Sequence, residues 1–146
     1  MADTVTTIVL RDDNSHYVIH CTNVSDGTGE SAVIKANIST LTMADNGHNQ
    51  GTKVPVSFQV EKVCGNVMGT AATTLEPVGL KFAFDAATDD TFLYVGGGEF
   101  SYDWRAEGGL TDPRSTTFTG DIVVTFDAKA VAGDGYSFTL WLRKKA

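Results

Sequence analysis

Proline is scarce in this chain, with three in 146 residues, and cysteine scarcer, with Cys21 and Cys64 alone. Two cysteines cannot supply a disulfide framework, and with three scattered histidines they do not compose a zinc site. The opening Met1-Ala2-Asp3-Thr4 has neither a basic patch nor an apolar stretch, so no secretory leader is read there. Both thiols are therefore expected to be reduced and buried as small hydrophobes, with a disulfide as the alternative. No apolar run approaches the roughly 20 residues that a membrane helix needs, and no membrane partner is expected. Cations are few: 11 Lys and Arg against 18 Asp and Glu, a net charge of −7. That balance argues against nucleic acid, because phosphate binding requires clustered Lys and Arg. The one basic cluster, Arg143-Lys144-Lys145, reads as a solvated tail or a contact for an acidic patch on a partner. Nucleophile and nucleotide motifs are missing too, with no Gly-x-Ser-x-Gly, Walker loop or His-Glu-x-x-His. No catalytic residue, cofactor or metal is expected, and the chain is not read as an enzyme.

What is present is period-two hydrophobicity punctuated by turns. The hydrophobic share of 42% exceeds that of a disordered polar tract, and the length suits one domain over 1–146. Val5–Arg11 and His16–Thr22 read as strands about an Asp12–Ser15 turn, with Tyr17, Ile19 and Cys21 on one face. The glycine-punctuated Thr22–Glu30 segment then reads as the loop of a hairpin into Ala32–Ile38, whose Ala32, Ile34, Ala36 and Ile38 share a side. Thr42–Lys53 is polar and reads as a long exposed loop. Val54–Cys64 alternates most clearly, with Val54, Val56, Phe58 and Val60 inward and Ser57, Gln59 and Glu61 outward; Pro55 marks an edge. Gly79–Asp85 repeats the pattern with Leu80, Phe82 and Phe84, and Thr91–Val95 follows the Asp89-Asp90 turn. Beyond Gly96-Gly97-Gly98 comes Glu99–Trp104. Asp121–Asp127 and Tyr136–Lys144 close the chain and read as a hairpin about Gly133-Asp134-Gly135. Eight or nine short strands with few helix signals predict an all-β, two-sheet antiparallel β-sandwich with long loops and jelly-roll connections as one option.

Polar constellations carry little chemistry. His16 and His20 on one strand stand about 13 Å apart at ~3.3 Å per residue, too far to share a metal. The pairs Asp12-Asp13 and Asp89-Asp90 suit turn capping better than glycosidase chemistry. Asp26, Thr28 and Glu30, or Asp45, Asn46 and Asn49, could offer oxygens to calcium but lack the ligand order of an EF-hand. No helix opens after Gly96-Gly97-Gly98, so that run reads as a bend rather than a phosphate cradle. Phe100, Tyr102 and Trp104 share one face of an extended segment. Trp141 opposes Phe138, Leu140 and Leu142, and Val123 opposes Ile122, Val124 and Phe126. Apolar residues on a solvent face mark either a covered face or a binding surface.

Two blocks carry a resemblance. One is Thr22–Glu30 followed by Ser31, Val33 and Lys35. The other holds Phe84–Asp89, Gly108-Gly109-Leu110, Thr119–Ile122, Gly133–Ser137 and Leu142–Lys145. This pattern resembles small structural proteins of tailed bacteriophages. The resemblance implies a virion component made in the host cytoplasm, with capsid cement or decoration as its role. Such a protein clamps neighbouring major capsid proteins as a homotrimer at three-fold positions. The contacts expected on this reading are Phe100, Tyr102, Trp104 and Trp141, with Asn46, His48 and Asn49 of the long loop. Alternatives are a tail, neck or baseplate protein, or a carbohydrate-binding module with Trp104 and Tyr102 stacking on sugar.

Overall fold

Alternating apolar residues make extended segments that must each bury one face, and here they resolve into stacked antiparallel sheets. A computed structural model describes residues 4–13, 15–24, 29–38, 41, 44–45, 52–53, 57–68, 79–113, 118–126 and 135–145. The strands are β1 (Thr4–Asp12), β2 (His16–Val24), β3 (Glu30–Ala36), β4 (Ala44–Asp45), β5 (Thr52–Lys53), β6 (Ser57–Met68), β7 (Leu80–Ala86), β8 (Asp90–Val95), β9 (Gly98–Asp103), β10 (Leu110–Thr111), β11 (Phe118–Phe126) and β12 (Gly135–Lys145). The larger sheet runs β1-β2-β12-β6-β10, with β9 also paired to β6; the smaller runs β3-β11-β7-β8. The all-β sandwich expected from the alternation is the observed architecture. Within Thr42–Lys53, β4 and β5 form a two-stranded ribbon rather than plain loop. Val54, Pro55 and Val56 lie outside the described residues.

The core fills the space between the sheets. From the larger sheet come Ile19, Phe58, Val60, Val63, Tyr136, Phe138, Leu140 and Leu142; from the smaller come Leu80, Phe82, Ile122, Val124 and Phe126. Phe82 meets Phe138 edge-on across the gap, with centroids 4.9 Å apart, and Phe126 meets Tyr136 at 5.2 Å. Cys21 is buried and free, as expected; Cys64 is also free but only half-buried. Burial pushes the Cys21 thiol up, which keeps it an inert packing group.

Turn residues behaved as turns, but not always as hairpins. Asp13 Oδ1 accepts from Ser15 N and His16 N at 2.9 and 2.8 Å, closing the β1–β2 hairpin. Asp89 Oδ1 likewise accepts from Ala86 N at 3.3 Å at the β7–β8 turn. The Thr22–Glu30 segment, by contrast, leads from the larger sheet to the smaller, so β2 and β3 are not a hairpin. The same holds for β11 and β12, which lie in different sheets. Turn chemistry reports a reversal of direction, not which sheet the next strand joins. The glycine run does act as a bend, carrying the chain from β8 across to β9.

Bulges correct two faces. In β6, Trp141 stands opposite Lys62 while Leu142 stands opposite Val60, which leaves Glu61 as an extra residue. Val60 and Val63 both face the core in consequence, and the strand runs on to Met68. In β3, Ile122 opposes Ala36 while Val123 opposes Ile34, which makes Lys35 the extra residue. Ile34, expected to share a side with Ala36 and Ile38, is exposed while those two are buried, and Lys35 is buried beside Ala36.

Where β6, β12 and the core meet, a Cβ on Gly65 would lie 2.1 Å from Ser137 O and 2.7 Å from Phe138 Cα. These are backbone atoms in a ladder and cannot step aside. Gly65→Ala is expected to lower the unfolding free energy by about 1–3 kcal/mol, read by chemical denaturation.

Candidate functional site

The predicted contact residues fall into separate environments. Phe100 and Trp104 are partly buried and pack on the core, Phe100 against Phe82 at 6.2 Å and Trp104 against Phe92 at 6.4 Å. Tyr102 shares their face but is 42% exposed, its ring stacked on Trp104 at 5.8 Å and 11°. Trp141 lies half-buried on the outer face of the larger sheet, with Lys62 Nζ 5.1 Å from its ring centroid. Val123, on the outer face of the smaller sheet, is covered rather than exposed. Asn46, His48 and Asn49 lie outside the described residues.

The basic terminus is not a solvated tail. β12 continues to Lys145, and the alternation that buries Leu140 and Leu142 also turns Lys144 inward. Its amine donates to Asp12 Oδ1 and to Asp13 O, each at 2.5 Å, at the β1–β2 turn. Desolvation, the largest single influence, pushes the Asp13 carboxyl up. Hydrogen bonds from Ser15 N, His16 N, Arg11 and Ser15 Oγ outweigh it and hold the group well below the usual carboxylate range. The two histidines have separate partners: His16 Nε2 lies 2.9 Å from Glu61 Oε1, and His20 Nδ1 lies 2.8 Å from Thr139 Oγ1. Among the described residues, no group of three or more His, Cys, Asp or Glu side chains could hold a metal ion.

Two features emerge that the sequence pattern did not announce. The first is an apolar edge. β1 is the outermost strand of the larger sheet, and its Val5, Ile8, Val9 and Leu10 are 40, 51, 51 and 58% exposed. Leu10 sits at a register shift between Val9 and Arg11, so apolar groups face both sides of this edge. Val24, Val33 and Ile34 add exposed apolar surface on β2 and the β3 edge. A run of adjacent apolar residues such as Ile8-Val9-Leu10 is compatible with both burial and an open edge, and only the sheet order separates the two.

The second is a buried polar cluster where β2 leads toward β3. Glu30 accepts through Oε2 from Lys35 Nζ at 2.6 Å and through Oε1 from Asn23 Nδ2 at 2.6 Å; the Tyr136 hydroxyl also donates to Oε1. Burial, then the bond to Glu30, pushes the Tyr136 phenol far above its ordinary value. Glu30, a candidate calcium ligand by sequence, thus turns into the interior. Alternation sets Lys35 on the side opposite Ala36, and the bulge brings both to the interior.

Comparison with family models, curated proteins and solved structures found no match.

One further buried carboxylate tunes stability. Asp121 Oδ1 accepts from Ile38 N at 2.7 Å. Burial raises its pKa, the bond from Ile38 N lowers it, and nearby Asp85 raises it again; the net shift is upward. A carboxyl with a raised folded-state pKa binds more protons folded than unfolded. Its charge therefore costs stability as pH rises through the folded pKa, and the cost is absent below the unfolded value near 4. Asp121→Asn keeps an acceptor for Ile38 N, so it is expected to raise the melting temperature at pH 7. Thermal scans across pH should show that gain vanish in acid.

Proposed function

We propose that this chain is a structural protein of a tailed-phage virion, acting as a capsid cement or decoration protein that binds between major capsid proteins. The observation that carries the reading is the β1 edge, which no other described strand pairs on its outer side and whose seven residues Thr4–Leu10 hold no charge on a chain of net charge −7. An unpaired strand edge is a template for strand addition, and natural proteins usually protect it with charge, proline or a covering element. Apolar side chains on both sides of that edge give a partner strand something to pack against. The acidic remainder keeps copies apart before assembly.

Connectivity supports the same reading. Counted over β2, β3, β6, β7, β8, β9, β11 and β12, the sheets read first-eighth-third-sixth and second-seventh-fourth-fifth. We read this as a jelly roll, an architecture that viral capsid domains share with lectins and cupins. Fold alone does not assign function, so the edge and the motif resemblance bear the weight. Assembly as a homotrimer would repeat each weak contact three times and multiply them by avidity. Tyr102 and Trp141, with the 46–49 segment, are secondary contacts in this scheme.

Purified protein is expected to bind capsids that lack it and to raise the temperature at which they disrupt. Ile8→Lys with Leu10→Lys should weaken binding by tenfold or more, about 1.4 kcal/mol, with little change in the melting temperature of the free protein. Failure of the unaltered protein to bind any capsid ends the reading, and binding confined to tails would move it to a tail, neck or baseplate role.

A further inference from the structure

An amine, a carboxamide and a carboxyl group are enclosed together at one end of the sandwich. Asn23 is 1% exposed and Lys35 8%. The Lys35 amine and the Asn23 amide are held on the two oxygens of a single carboxylate, Glu30, each at 2.6 Å. Tyr136, directly opposite Asn23 in the ladder, steadies that carboxylate with its hydroxyl, and its ring lies 5.9 Å below the Lys35 amine. A buried ion pair is by itself a weak source of stability, since apolar residues of similar volume serve as well. Lys35 reaches the interior only because β3 carries an extra residue there, and bulges of this kind re-aim side chains at specific tasks.

This set contains a nucleophile, an electrophile and a proton carrier with water excluded. Amide aminolysis is slow in solution, but fixing both reactants in one place supplies effective molarities of about 10⁵–10⁸ M. A carboxyl group bonded to both reactants can move the protons that the exchange requires. We propose that Lys35 and Asn23 join through an intramolecular isopeptide bond, with Glu30 as the catalytic residue and Tyr136 as a positioning residue.

The step balances without any added reagent. Lys35 Nζ passes a proton to Glu30 Oε2 across their contact. The freed lone pair attacks Asn23 Cγ, and the Nζ–Cγ bond forms as the carbonyl electrons move onto Oδ1. Glu30 takes a second Nζ proton after delivering the first to Nδ2. The carbonyl re-forms, the Cγ–Nδ2 bond breaks, and ammonia departs. The second proton leaves with it as ammonium, and Glu30 ends as a carboxylate. Nothing is oxidised or reduced. The product is a secondary amide that ties β2 of the larger sheet to β3 of the smaller.

The test is the intact mass of the full purified chain, followed by peptide mapping. The expected mass is that of the sequence less one ammonia, with a branched peptide joining the Asn23 and Lys35 segments and no tryptic cleavage after Lys35. Glu30→Gln is expected to restore the full mass. That variant strands a buried amine and can fail to fold, so the map of the unaltered protein decides by itself. A folded chain of full sequence mass would overturn the proposal. So would an ammonia loss mapped to another asparagine, such as Asn46 before Gly47, where ring closure to a succinimide sheds the same group.

Discussion

The edge-on contact of Phe82 with Phe138, one ring from each sheet, is the constraint around which the molecule is arranged. Two sheets separated by about 10 Å need large side chains to close the gap. Phe126 and Tyr136 continue the seam, and Phe92, Phe100 and Trp104 extend it to the rim beside β8 and β9. Each such ring pair contributes about 0.5–1.5 kcal/mol beyond the area it buries. The seam explains why the aromatic cluster near residue 100 divides as it does. Phe100 and Trp104 are spent on closing the sandwich, and Tyr102 is left with an exposed ring at the lip.

Where the seam ends, polar groups take over. At one end the interior is closed by Asn23, Glu30, Lys35 and Tyr136, and at the β1–β2 turn by Lys144 with Asp12 and Asp13. In both places a lysine continues the inward face of a strand beyond the reach of apolar neighbours. Leaving such an amine without a partner would be costly, and each has a carboxylate within 2.6 Å. The two ends differ in chemistry. Asp12 is half-exposed and simply neutralises Lys144, whereas Glu30 is enclosed and holds a carboxamide as well.

Surface character follows from what the sheets leave uncovered. The larger sheet is wider than the smaller, and β1 is its outermost strand. Its apolar residues on both faces therefore stay wet, although the same composition in a central strand would be buried. Acidic charge elsewhere and an uncharged apolar margin here divide the surface into a part that repels copies and a part that invites strand pairing.

Residue order alone settled the all-β class, most strand positions, the capping role of Asp13 and Asp89, and the inward faces of β2, β7, β11 and β12. Those features depend on period-two alternation and on local turn chemistry, which act over a few residues. The sequence did not disclose the crossings from β2 to β3 and from β11 to β12, the reversal of face within β3 and β6, or the burial of Lys35 and Lys144. A bulge shifts side-chain parity by one residue, and only the partner strand reveals it. For the same reason the meeting of Asn23, Glu30, Lys35 and Tyr136 is not legible in the sequence: their contact depends on which strands lie side by side and which sheets stack, and that is decided by long-range packing.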